Sequence, residues 1–144
     1  MRVQLYIGSN TTTLRWARLL PQMSGTLPSS LGQLTLMEKI YLTNNFISGT
    51  IPPSLGNMLR LDELDFGENQ LSGTVPKSLG DLPRMLRMDF DFNHLRFFPP
   101  ELCTRLQSGG LRYCYMLGND FECKNMASCA KTYCWAQCRE EPTS

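Results

Sequence analysis

Ser24-Gly25-Thr26-Leu27-Pro28 is followed by Ser30-Leu31-Gly32, Ser48-Gly49-Thr50-Ile51-Pro52 by Ser54-Leu55-Gly56, and Ser72-Gly73-Thr74-Val75-Pro76 by Ser78-Leu79-Gly80. The step is 24 residues each time. A fixed step of this size marks one supersecondary unit stacked on copies of itself. Each unit buries its apolar side only against its neighbours, so the chain is expected to form a solenoid that works as a surface.

Working outward, Ile40, Leu42, Asn45, Ile47 and Gly49 recur as Leu64, Phe66, Asn69, Leu71 and Gly73, and again as Met88, Phe90, Asn93 and Leu95. In that third copy Phe97 stands at the glycine position and Pro100 at the proline position. A fourth copy, Cys114, Met116, Asn119 and Phe121, follows at a step of 26, and Cys103 falls 24 after Leu79, in a core leucine slot. Alternation such as Ile40 and Leu42 predicts a short strand with one face inward, pairing in parallel with its equivalent in the next copy. An amide carries donors and acceptors, so Asn45, Asn69 and Asn93 are expected to satisfy buried backbone as a ladder where the chain turns inward. Gly49 and Gly73 open backbone conformations closed to other residues, and Pro52 and Pro76 fix φ and delay a regular helix. The Ser-Leu-Gly that follows suits a short helical turn on the convex side.

Written generally, the unit is L-x-L-x-x-N-x-L-x-G-x-I-P-x-x-L-G, and over residues 23 to 121 it resembles the plant-type, 24-residue leucine-rich repeat with its L-x-G-x-I-P segment. The expected fold class is α/β in the loose sense: a short leucine-rich-repeat solenoid with a concave parallel sheet and a cysteine-rich C-terminal cap. Three segments follow: 1–22, a divergent N-terminal segment or degenerate repeat; 23–121, the repeats; and 122–144, the cap and tail. The resemblance extends to receptor-kinase ectodomains and polygalacturonase-inhibitor-like proteins, and implies a non-catalytic recognition module of a secreted or cell-surface protein that binds a protein or peptide through its concave face. A structural or adhesive wall protein, and the ectodomain fragment of a receptor kinase, are the alternatives.

The six cysteines, Cys103, Cys114, Cys123, Cys129, Cys134 and Cys138, all lie in the last third. An even count in one terminal segment reads as a disulfide-stapled cap, which a solenoid needs over its last apolar rung. Cys103 with Cys114, and the last four among themselves, is the preferred pairing. Zinc is the competing use, but the knuckle spacing of structural zinc sites is missing. Disulfides imply an oxidising compartment, and Asn10-Thr11-Thr12 is a glycosylation sequon. The first residues lack the apolar stretch of a secretory signal; a fragment or a wrong start reconciles the two. Leu5, Ile7 and Asn10 match the L-x-L-x-x-N spacing, yet Asn10 to Gly25 takes fifteen residues where Asn45 to Gly49 takes four. The 11 residues of excess, with Leu14 to Leu20 among them, read either as a divergent capping helix or as a mis-spliced insert.

A net charge of +1 gives no electrostatic case for nucleic acid, and no apolar run reaches membrane-spanning length. The sole histidine, His94, has no catalytic company, and G-x-S-x-G, Walker and H-E-x-x-H signatures are absent. No catalytic residue, cofactor or metal is expected; calcium between Asp65 and Asp89 is the metal alternative, and no EF-hand loop supports it. Strand residues between the inward ones point to the concave face. They form three columns: Lys39, Glu63, Arg87, Tyr113; Tyr41, Asp65, Asp89, Tyr115; and Thr43, Gly67, Asp91, Leu117. The ligand-binding candidates are Lys39, Tyr41, Glu63, Asp65, Arg87, Asp89, Asp91, Tyr113 and Tyr115. Their acidic middle and tyrosine edges suit a basic protein or peptide, although a merely solvated sheet face reads the same way.

Overall fold

The computed structural model describes residues 12–15, 22–122, 129–130 and 134. Its concave sheet runs through β1 (Thr13–Arg15), β3 (Lys39–Tyr41), β5 (Glu63–Asp65), β7 (Arg87–Asp89) and β9 (Tyr113–Tyr115), all parallel and in that order. A second parallel sheet runs through β2 (Ser24–Thr26), β4 (Phe46–Thr50), β6 (Gln70–Thr74) and β8 (His94–Phe97). The second sheet is an addition to the convex side, where only irregular and helical segments are expected from sequence. Strands β2, β4 and β6 carry the Ser-Gly-Thr phrase, which lacks apolar alternation and therefore hides its strand character.

Each coil delivers the same inward set. Met37, Ile40, Leu42, Ile47, Ile51 and Leu55 repeat as Leu61, Leu64, Phe66, Leu71, Val75 and Leu79, then as Met85, Met88, Phe90, Leu95, Phe98 and Leu102, all buried. Phe66 and Phe90 meet edge to face at 5.9 Å. Between these rungs the asparagines form the expected ladder. The Asn69 amide donates to Leu42, Phe66 and Gly67 carbonyls and accepts from Ile47 N–H; Asn93 does the same one coil on, with Leu71 N–H as its donor. Gly49 and Gly73 take φ of 80° and 82°, as their place requires. The convex turns Ser29–Gln33, Pro53–Asn57 and Lys77–Asp81 are 3-10 helices. They stack so closely that a Cβ on Gly56 would lie 2.5 Å from Ser78 Cβ.

Three readings need correction. First, β1 pairs Leu14 with Ile40, not Leu5 or Ile7. The interval from the strand to the Ser-Gly-Thr phrase is then two residues longer than in the clear copies, and the 11-residue excess disappears. Leu14 and Arg15 belong to a strand, neither to a capping helix nor to an insert. Secondly, Phe98 and Leu102 take the places of Val75 and Leu79 at a step of 23, so this coil is one residue short. Cys103 therefore leaves the core slot and sits half-buried on α1 (Glu101–Gln107). Thirdly, Cys103 bonds Cys129 and Cys114 bonds Cys134, with Cα separations of 5.5 and 4.4 Å. Cys103 and Cys114 are neighbours in sequence, but one lies on the convex helix and the other points inward from a concave strand. Each is bridged instead to the segment that closes the last coil, where Met116 N–H donates to Cys134 O at 3.1 Å. Asn10, Cys123 and Cys138 lie outside the described residues.

Candidate functional site

Parallel pairing at a step of 24 puts the sequence columns in register: Lys39 beside Glu63 beside Arg87, and Tyr41 beside Asp65 beside Asp89. The step of 26 continues both columns to Tyr113 and Tyr115. Strand β1 adds Thr13 and Arg15 at the other end. The sequence reading missed Arg15, although Thr13-Leu14-Arg15 precedes Lys39-Ile40-Tyr41 by 26, the step already seen at the other end. Arg15, Tyr41, Thr43, Glu63, Asp65 and Arg87 line a shallow open concavity.

The two halves of this face differ. In the first column charges are mostly spent on each other. Lys39 Nζ lies 2.5 Å from Glu63 Oε1, and Tyr41 Oη donates to Glu63 Oε2 at 2.6 Å. The Lys39 bond, then the Tyr41 bond, holds the Glu63 carboxyl below its usual range; the same Glu63 bond raises Lys39. Burial, then the Glu63 bond, raises Tyr41. Arg87 pairs with Asp89 Oδ2 at 3.1 Å and lies 5.2 Å from the Tyr115 ring centre, while Arg15 covers Tyr41 at 5.9 Å. Burial works to lower Arg87, but Asp89 beside it leaves it raised.

Around Gly67 the balance is negative. Asp65 accepts from Thr43 Oγ1 and from Gly67 N–H, Asp89 Oδ1 from Asp91 N–H at 3.2 Å, and Asp91 Oδ1 from Leu117 N–H at 2.6 Å. Burial pushes the carboxyls of Asp89 and Asp91 up, against the backbone bonds that favour their ionised forms, and Asp65 adds to the rise. Gly67 does not take a left-handed backbone, so its turn does not require glycine; its missing side chain leaves a notch. A Cβ there would lie 3.2 Å from Asp89 Oδ1 and 3.5 Å from Asp65 Oδ1. Next to the notch runs a file of left-handed residues, Asn44, Glu68, Phe92 and Gly118. Phe92 is 54% exposed with φ 52°, an unusual place for an aromatic side chain. Among the described residues no group of His, Cys, Asp or Glu is arranged to hold a metal ion. His94 is exposed on β8, away from the concave columns, with Nδ1 3.1 Å from Asp120 Oδ2.

A profile of the family "Leucine Rich Repeat" matches residues 37–58 and 60–82. No curated protein matches the chain. Solved structures do. A plant peptide hormone receptor, RGFR1, in complex with RGF2, is 30% identical over 70% of this chain and 16% of its own, with a TM-score of 0.66. The BIR2 ectodomain from Arabidopsis thaliana is 29% identical over 69% of this chain and 51% of its own, with a TM-score of 0.62. A plant ice-binding protein is 25% identical over 77% of this chain and 35% of its own, with a TM-score of 0.68. The chain spans well under two thirds of the length of each. It is a leucine-rich-repeat domain that resembles the ectodomains of plant receptor kinases, a fold typical of non-catalytic recognition modules.

Proposed function

We propose that this leucine-rich-repeat domain is the recognition part of a secreted or cell-surface protein, and that its concave face binds a protein or peptide segment with basic character. The observation that carries the reading is the unequal charge of that face. Lys39 and Glu63 neutralise each other, whereas Asp65, Asp89 and Asp91 crowd the Gly67 notch with Arg87 as the cation bonded among them. A cationic side chain entering there would relieve mutual repulsion, and the tyrosines and Phe92 beside it are residue types that anchor interfaces. The two disulfides support an oxidising, extracellular setting. So does the likeness to receptor ectodomains, which also supports the narrower reading of this chain as part of a receptor kinase's ectodomain.

The test is retention of synthetic peptides of graded charge on the immobilised chain. Lys- and Arg-rich peptides should be retained, and Asp65→Lys should release them without changing the circular dichroism spectrum. Retention indifferent to peptide charge, or untouched by Asp65→Lys, refutes the reading. A second reading, contact with an extended ordered surface, draws on another observation. Thr26, Thr50 and Thr74 each end a strand of the second sheet and are exposed, with Thr26 beside Ser48 and Thr50 beside Ser72 of the next coil, and the plant ice-binding protein shares the fold. Loss of ice-recrystallisation inhibition in Thr50→Val, with peptide retention intact, would favour it.

A further inference from the structure

Arg15, Tyr41, Asp65, Asp89 and Tyr115 stand in one row across the concave strands, each paired in register with the next. The row begins with a cation and passes the acidic notch beside Gly67. The cations further along this face are committed, Lys39 to Glu63 and Arg87 to Asp89. Arg15 is exposed, and among the described residues no carboxylate pairs with it and no acceptor takes its N–H groups. It rests against the Tyr41 ring, whose hydroxyl donates to Glu63 Oε2 at 2.6 Å and is thereby fixed. A guanidinium held against a fixed ring keeps its fork of donors available, and that fork matches a carboxylate.

We infer that this row selects two opposite charges at a set spacing: an extended peptide segment in which an acidic side chain meets Arg15 and a basic side chain four residues away enters the Gly67 notch. This rests on the reading of the concave face as a binding surface for basic segments, and adds an acidic position to what that surface selects. The spacing follows from the sheet. Neighbouring strands lie about 4.8 Å apart, so along the row Asp65 stands about 10 Å from Arg15 and Asp89 about 14 Å. An extended segment laid along the row advances about 3.4 Å per residue and turns every second side chain to the sheet. Side chains two residues apart are then separated by about 7 Å, short of Asp65. A separation of four residues spans about 14 Å and reaches the carboxylates that border the notch, whereas six span about 20 Å and overshoot to Tyr115. Both chain directions give the same separation, so charge spacing is selected and not charge order.

The experiment measures retention of end-blocked peptides on the immobilised full, oxidised chain at low and high salt. One neutral scaffold carries Glu and Lys four residues apart in either order, Gln and Lys at the same places, or Glu and Lys two residues apart. Blocked ends make the acidic side chain the peptide's sole carboxylate. The four-residue pair should be held about three- to fivefold more tightly than the Gln–Lys peptide, although Glu lowers its net charge. Salt should narrow that difference, since the Arg15 contact is exposed. The two-residue pair should be held no better than Gln–Lys. Arg15→Gln should erase the preference, and Arg15→Glu should transfer it to a peptide with Lys at both places. Arg15 is an exposed side chain, and an unchanged circular dichroism spectrum confirms that each variant is folded. A Gln–Lys peptide held as tightly as the four-residue pair overturns the proposal. So does a preference that survives Arg15→Gln, or one indifferent to spacing. If the Gln–Lys peptide is retained and released by Asp65→Lys while Glu adds nothing, the acidic position is refuted and the concave-face reading stands. Retention of no peptide overturns both.

Discussion

Replacing Asn69 by alanine tests the ladder that holds the coils in register. Asn69 is 8% exposed, and its amide donates to three carbonyls while its oxygen accepts from Ile47 N–H at 3.0 Å. The carbonyls keep other donors: Leu42 O has Asn45 Nδ2 at 2.9 Å, Phe66 O has Asn93 Nδ2 at 3.0 Å, and Gly67 O has Asn44 N–H at 3.0 Å. Ile47 N–H has no such reserve in the ladder, so the substitution orphans one buried donor. An orphaned buried group costs about 1–3 kcal/mol, and the weakened shared carbonyls add to that, giving about 2–3 kcal/mol in all. For a chain of this size the midpoint of thermal unfolding should fall by roughly 5–10 °C. Asn69→Asp should be worse at neutral pH. It keeps the acceptor for Ile47 N–H but turns a buried charge toward three carbonyls. Asn119→Ala should be milder, because Asn119 is half-buried and water can replace its amide. The assay is equilibrium urea unfolding under non-reducing conditions. A cost below about 0.5 kcal/mol for Asn69→Ala, or an Asn69→Asp protein more stable than the alanine one, would refute the accounting of bonds.

Gly32→Ala places a Cβ into the Ser54 carbonyl and should destabilise by about 2–4 kcal/mol, whereas exposed surface exchanges nearby stay within about 0.5 kcal/mol; thermal melts of both separate the two. Non-reducing peptide mapping should recover Cys103 joined to Cys129 and Cys114 to Cys134, and losing either bridge should lower stability by about 2–4 kcal/mol in urea. Phe92→Asn should stabilise by roughly 0.5–1 kcal/mol through relief of the left-handed backbone, yet weaken peptide retention; a loss of stability contradicts the strain assigned to φ 52°. Asp91 is raised in the fold above its ordinary 3.8. Between those two values the native state holds the extra proton, so stability falls as pH rises through that window. Asp91→Asn should remove that part of the fall, leaving a flatter stability curve above pH 4, and a curve identical to the parent's would be evidence against a buried charge there.

How far the chain could be read in advance follows from what repetition reports. The inward residues announce themselves, because Ile40, Leu64 and Met88 must each fill the same space. The ladder is equally legible, since only an amide both gives and takes at such a turn. Departures from the step were harder. A strand of three residues, Thr13–Arg15, offers one inward side chain, whereas Leu5, Ile7 and Asn10 match the L-x-L-x-x-N spacing in the sequence. The one-residue shortening before α1 sits among Phe97, Phe98, Pro99 and Pro100, where paired like residues blur the alignment. Disulfide partners depend on which side of a coil each cysteine faces, and linear spacing says nothing of that.

The concave columns show why reading positions differs from reading roles. By spacing alone, Glu63 and Asp65 look alike, one step apart on β5. In the fold Glu63 is held by Lys39 and Tyr41 and lies below its usual range, so its charge is committed to the scaffold. Asp91 faces the other way in energy: burial raises it, and its bonded oxygen is tied to Leu117 N–H, which fixes the side chain without neutralising it. A group held in place, short of countercharge and beside an unfilled notch is poised to gain from a cation, whereas a satisfied pair must be broken before it can bind anything. Under the proposed function, the recognition half of this face is the side with Asp65, Asp89, Asp91 and Phe92. The Lys39–Glu63 side is better understood as a brace between coils.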